Sequence, residues 1–145
     1  MVWTVVRGKE MNLNQLFESK ASDATLMDML PAFLPLALKI LKLDHVPKIK
    51  LEKFIDDDEQ PTFGKFVQDD NMIYIGLENR HPVDILRTLA HEMVHYKQNT
   101  EHELAAGSGR TGSPEENEAH QVAGVIMREF NKANPEFLKA RPLEI

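Results

Sequence analysis

Residues 89–98, LAHEMVHYKQ, contain the side chains of this chain best suited to binding a metal. His91 and His95 are four residues apart, and Glu92 directly follows the first histidine. On a helix, residues four apart lie about 40° from each other around the axis, so both imidazoles can reach one metal ion. Glu92 lies about a quarter-turn away and can take a proton from a water molecule without being a ligand. This spacing predicts a zinc site with a glutamate base, groups suited to hydrolysis of a carbonyl compound.

The residues around the motif favour an active-site helix over a helix that carries two histidines by chance. Pro82 fits the first helical position, and the apolar pattern predicts a helix from about residue 83 to about residue 99. One side of that helix is apolar. The side that bears the histidines is polar and includes Asp84, Thr88 and Gln98. A helix of this kind packs its apolar side on the core and leaves the other side to line a cleft.

A further ligand must come from another part of the chain. The metzincin pattern is excluded, because Gln98 and Glu101 stand where it needs glycine and histidine. After a glycine-rich loop at 105–114, the signature Ser-Pro-x-Glu predicts a second helix from Ser113 to about Asn131. The third ligand is therefore expected on this second helix.

Four side chains of the second helix could complete the site. Glu118 and His120 lie about 200° apart around the axis, so both cannot face one metal ion, and helix phase does not choose between them. Glu115 and Glu116 remain open as well, although acidic residues in a first turn also interact favourably with the helix dipole.

The other elements predict an α+β fold. Apolar periodicity predicts a helical region at 22–43, capped by Ser22 or Asp23 and broken into two segments by Pro31 and Pro35. Alternating apolar residues then predict three strands, the last two joined in a hairpin by the turn at 68–71: 48–54, 62–67 and 72–77. The predicted order is helices, a small sheet, the motif helix, a loop and a last helix. This order is typical of the α+β class.

If the carbonyl compound is a peptide, the site would also need a strand edge for its substrate and a donor for the oxyanion. Residues 71–77, directly before the motif helix, are the predicted strand edge. Tyr74 and His102 are the candidate oxyanion donors.

Composition excludes several other functions. The net charge of -6 argues against a nucleic-acid partner, and the absence of cysteine removes thiolate ligands and thiol nucleophiles. The longest apolar region, 26–43, is interrupted by charged residues and prolines, so no membrane span is expected. The start of the sequence has no signal-peptide pattern. We therefore expect a cytoplasmic protein.

The segments TLAHEMVHYKQ and ENEAHQVAGVIMREF together resemble the gluzincin group of HExxH zinc metallopeptidases. They resemble more closely the small zincins of the SprT-like and ImmA/IrrE types and similar phage-encoded peptidases. The resemblance extends over residues 48–131 and implies one Zn²⁺ ion with Glu118 as the third ligand. His120 stands where asparagine is common in ImmA-like sequences, so it stays open as an alternative ligand or a residue supporting the ligands.

These observations predict a zinc metallopeptidase acting on a protein or peptide, with a single minimal zincin-like domain at 21–145. Residues 1–20 are interpreted as an N-terminal arm of uncertain structure that could dock on an assembly partner. If the chain is phage-encoded, its expected location is the host cytoplasm or the virion. The alternative is a catalytically silent binding or structural protein that keeps the same fold, such as a phage assembly component.

Overall fold

Three helices and two small sheets form the part of the chain that a computed structural model describes, residues 5–7, 25–56, 61–102 and 112–143. The helices are α1 (Leu26–Leu41), α2 (Pro82–Glu101) and α3 (Pro114–Ala133), and a short 3-10 helix at Pro135–Lys139 follows α3. The predicted α+β class is confirmed. None of the helices in these described ranges is long and apolar enough to cross a membrane.

The larger sheet has four strands in the order β1-β2-β6-β5, and three of them are parallel. These strands are β1 (Val5–Arg7), β2 (Lys48–Glu52), β5 (Gly64–Val67) and β6 (Met72–Gly76). Two shorter strands, β3 (Ile55–Asp56) and β4 (Pro61–Thr62), pair separately and antiparallel. Part of the predicted N-terminal arm is thus a strand of the sheet, whereas residues 1–4 and 8–20 lie outside the described residues.

The predicted hairpin is confirmed, but the predicted strand edge is wrong. β5 pairs antiparallel with β6, and the backbone N–H of Asn71 donates to the carbonyl of Gln68 at 3.2 Å to close the turn between them. β6 is hydrogen-bonded to β2 on its other side, so it is an interior strand. The outer strand of the described sheet on this side is β5. Which strands pair with one another depends on tertiary contacts. The alternation of apolar residues along a single strand does not show it.

The predicted break at Pro31 and Pro35 is also wrong, because α1 is one continuous helix. Both prolines are exposed, so the carbonyls that lose an amide partner lie on the solvent side, where water can replace it. The opposite side, which includes Met29 and Phe33, is fully buried and holds the helix to the core. The start also differs from Ser22 or Asp23, since Thr25 caps the helix in a capping box with Asp28.

The core lies between the sheet and the three helices. Ile73 and Ile75 of β6 are fully buried, and Phe33 of α1 meets Phe130 of α3 edge to face at 5.6 Å between ring centroids. Ala119 on α3 is fully buried too, and its small side chain permits close packing between helices. This packing fixes the relative rotation of α2 and α3, which decides which of their polar side chains meet.

Gly64 allows β5 to lie directly against α2, and we expect Gly64→Ala to destabilise the protein. A Cβ at this position would overlap Cγ2 of Thr88 and lie 3.3 Å from Cδ1 of Ile75. The resulting shift should cost about 1–3 kcal/mol of unfolding free energy, measurable by urea denaturation. Gly124→Ala is the matched control, because its Cβ has open space within a helix and should stabilise by about 0.5–1 kcal/mol. Equal stability of the Gly64 variant and the parent protein would contradict this packing.

Candidate metal centre

The predicted motif lies in the middle of α2, on a polar side that packs against the start of α3, where Glu92 and His95 are buried. His81 caps the helix, with Nδ1 accepting from the backbone N–H of Val83 at 3.0 Å, and Pro82 takes the first position as predicted. His91 and His95 project from successive turns, with ring centroids 4.9 Å apart. Local helix geometry therefore brings the two imidazoles together, as the spacing predicted.

Three imidazoles converge on the carboxylate of Glu116, the third residue of α3. Nε2 of His91 lies 2.8 Å from Oε1 of Glu116, and Nε2 of His95 lies 3.0 Å from Oε2. Nε2 of His120 lies 3.2 Å from Oε1, because it is four residues further along the same face of α3. The Glu116 side chain is only 12% exposed, whereas that of His120 is 70% exposed. The histidines of α2 and the carboxylate thus form an enclosed cluster with His120 at its outer side.

This cluster has the donor chemistry of a metal site. Ligand atoms lie within 4.8 Å of one another in each of two groups, His91–Glu92–His95 and His91–Glu116–His120, and either group could hold a metal ion. Burial lowers the pKa of His91, against the opposing effect of the nearby Glu116 carboxylate. A lowered pKa favours the neutral imidazole, which is the form that binds a metal. A cation bound between these imidazoles and the Glu116 carboxylate would balance the negative charge of that carboxylate, so the residues fit one.

Glu92 is the buried acid of the cluster. It is 6% exposed, and burial raises its pKa to about 7, with the charge of Glu116 acting in the same direction and that of His95 opposing it. A carboxyl group that titrates near neutral pH can both accept and return a proton, which suits a general base.

Glu118 does not point at the histidines. Its Oε1 accepts from Nε2 of Gln98 at 2.8 Å, so Glu116 and not Glu118 has the position expected of the third ligand. The sequence did contain a signal for Glu116, since Glu116 and His120 are four residues apart and share a helix face. Glu116 also fits the helix-start signature, which offered another explanation for its position. The structure has this cap, since Oγ of Ser113 accepts from the N–H of Glu116 at 3.1 Å. The backbone N–H of Glu116 thus takes part in the helix cap, while its carboxylate contacts the histidines.

The two candidate oxyanion donors lie away from the cluster. Tyr74 is on the sheet face opposite to its buried neighbours Ile73 and Ile75, and its hydroxyl donates to Oδ2 of Asp70 at 3.3 Å. His102 is the exposed C-cap of α2, about two helical turns beyond His95. The geometry gives Tyr74 no access to the cluster from that face, and it places His120 much nearer than His102.

Arg80 was not predicted from the sequence. Its side chain lies beside the polar side of α2, on the N-terminal side of His91. Its guanidinium donates to the carbonyl of Gly76 at 2.8 Å, to that of Asp84 at 3.1 Å and to Oγ1 of Thr88. It also stacks at 4.5 Å on the ring of Phe63, which is 67% exposed. Arg80 therefore connects the end of β6 to α2 at Thr88, one helical turn before His91.

Comparison of the chain with protein-family models, curated proteins and solved structures found no match.

Proposed function

We propose that the protein is a zinc-dependent metallopeptidase of the gluzincin type. The observation that carries this proposal is the convergence of His91, His95 and Glu116 beside the buried carboxyl group of Glu92. Two imidazoles from a helix and one carboxylate from a second helix form a common ligand set of catalytic zinc, and they leave a position for water or substrate. In this assignment Glu116 replaces Glu118 as the third ligand.

Each residue of the cluster has a distinct part in the proposed hydrolysis. Bound zinc would supply Lewis acidity, which polarises a carbonyl group and lowers the pKa of a water molecule to about 7. Glu92 accepts the proton from the attacking water and returns it to the departing amine. His120, exposed at the outer side of the cluster, can donate a hydrogen bond to the oxyanion.

A peptide is the proposed substrate because β5 lies beside α2 as the outer strand of the described sheet. Gly64 brings the strand into contact with Thr88, one turn before His91. A peptide in extended conformation could pair with the side of β5 to which no described strand is bonded and place its backbone next to the cluster. The exposed ring of Phe63 would then contact an apolar side chain of that peptide.

A second candidate function is a zinc-bearing binding module without hydrolysis, and the position of His120 favours it. If Nε2 of His120 became a fourth ligand, the site would be closed in the manner of structural zinc sites. His120→Ala separates the two functions. A zinc affinity that falls as far as in a Glu116 variant would assign His120 as a ligand, whereas a modest change would leave the site open.

The test of the proposed function is metal content together with zinc-dependent cleavage. We expect about one zinc per chain after purification without added metal, and cleavage of an unfolded protein such as casein that chelation abolishes and zinc restores. Metal content is measured by plasma mass spectrometry and cleavage by release of labelled peptides. A chain that purifies without zinc and fails to take it up would refute the metal site, and zinc without cleavage would favour the binding module.

A further inference from the structure

Gln98 is a buried polar side chain that the proposed catalysis does not use. It is 3% exposed and lies three residues after His95 on α2. Its amide nitrogen donates to two oxygens of α3, the backbone carbonyl of Glu115 at 2.9 Å and Oε1 of Glu118 at 2.8 Å. Its amide oxygen lies 2.8 Å from Nδ1 of His95. A buried amide with three partners makes a specific connection between the two helices.

The partners of Gln98 leave only one orientation for its amide. A backbone carbonyl and a carboxylate can only accept, so the NH₂ group must face Glu115 and Glu118. The amide oxygen must then face His95, and because that oxygen can only accept, Nδ1 of His95 must carry a hydrogen. The other ring nitrogen, Nε2, faces Oε2 of Glu116 at 3.0 Å, so it lies on the side where a metal would bind.

We propose that Gln98 and Glu118 are positioning residues: the amide oxygen of Gln98 accepts from Nδ1–H of His95 and so orients the ring with Nε2 towards Glu116, where it can bind a metal. Glu118 acts through Gln98: its carboxylate orients the amide, which in turn orients the imidazole. The consequence for zinc rests on the proposed metal site, whereas the orientation of the ring does not. This explains why Glu118 stands close to the site without contacting its ligands.

The first readout is the exchange of the Nδ1 hydrogen of His95 with solvent, followed by proton–nitrogen NMR. A hydrogen that a buried amide oxygen accepts exchanges slowly, so we expect a resolved Nδ1–H signal in the parent protein. We expect its loss in Gln98→Leu, which removes every partner while keeping similar bulk. Glu118→Ala, which leaves the Glu115 carbonyl as a partner, should broaden the signal less. A residue that only joined the two helices would not change the signal of this hydrogen.

The second readout is zinc affinity, measured by competition with a chelator. Loss of an outer hydrogen-bond partner typically weakens metal binding about 10–100-fold, and we expect this range for Gln98→Leu. Glu118→Ala should weaken binding less than Gln98→Leu, because the Glu115 carbonyl still orients the amide. Glu115→Ala is the matched control, because it removes one negative charge from the same turn but keeps the backbone carbonyl that Gln98 uses. It should stay within about twofold of the parent protein.

The proposal is overturned if a folded Gln98→Leu protein keeps the slowly exchanging Nδ1–H signal, or if Glu115→Ala and Glu118→Ala weaken zinc binding equally. Should Gln98→Leu fail to fold, the Nδ1–H signal and the zinc affinity of Glu118→Ala decide instead. A parent protein that shows the Nδ1–H signal but binds no zinc would refute the proposed metal site and support the positioning pair. The absence of this signal from the parent protein refutes the pair directly.

Discussion

Replacement of Glu116 by glutamine is expected to weaken zinc binding by roughly 100-fold or more, because it removes a charged ligand and not merely an outer partner. The Glu116 carboxylate is the group on which His91 and His95 converge, at 2.8 and 3.0 Å. Glutamine has nearly the same shape, so the α3 start capped by Ser113 should persist. Zinc affinity is measured by chelator competition, and the fold is checked by circular dichroism and the melting temperature.

Glu115→Gln and Glu118→Gln are the matched comparisons for Glu116→Gln. All three variants lose one negative charge within four consecutive residues of α3, so the electric field of the helix start changes by a similar amount. Only Glu116→Gln should lose tight binding. If Glu118→Gln loses zinc while Glu116→Gln retains it, the third ligand is Glu118, as the sequence resemblance implied, and the side chains must rearrange when zinc binds.

Replacement of Glu92 by glutamine is expected to reduce peptide cleavage by about 10²–10⁴-fold while zinc remains bound. Glu92 is the proposed proton acceptor and is not among the proposed zinc ligands, so cleavage and metal content should separate in this variant. Cleavage of a labelled unfolded protein and metal content are measured on the same sample. Glu129→Gln, an exposed residue on α3, controls for the loss of charge. Equal cleavage by the parent protein and Glu92→Gln would refute the mechanism.

Glu92→Gln is also expected to stabilise the zinc-free protein at neutral and alkaline pH. Burial raises the pKa of Glu92 from its ordinary value of 4.5 to about 7, so the folded chain holds this proton more tightly than the unfolded chain. Its contribution to stability is therefore complete below pH 4.5 and is lost as the pH rises through about 7. The loss amounts to about 3 kcal/mol, and glutamine, which does not ionise, avoids it.

Urea denaturation of the zinc-free proteins tests this pH dependence. The unfolding free energies of Glu92→Gln and the parent protein should differ by about 3 kcal/mol more at pH 8 than at pH 4.5. Zinc should reduce the difference, because a nearby cation favours the ionised carboxylate. A difference that does not change with pH would show that the buried carboxyl group of Glu92 carries no such penalty.

Local patterns in the sequence predicted most of the secondary structure correctly. Proline after a capping residue marked the starts of α2 and α3, and the polar turn at 68–71 marked the β5–β6 hairpin. These features depend on neighbours a few residues apart, so they are readable without tertiary information. The sequence did not show that α1 is continuous. A helix interior accepts a proline when the carbonyl that loses its amide partner faces water and the opposite side of the helix is buried, and both conditions depend on the tertiary structure.

The residues of the candidate site likewise divide into those that the sequence predicted and those that only the structure showed. The sequence by itself determined that His91, Glu92 and His95 lie together, because helix geometry alone sets their distances. The tertiary structure alone decided that Glu116 meets the histidines while Glu118 meets Gln98. These two glutamates are two residues apart and lie about 200° from each other around α3, so the choice depends on how that helix is rotated against α2. Packing of buried residues such as Ala119 and Phe130 sets that rotation, and no short-range pattern in the sequence contains it.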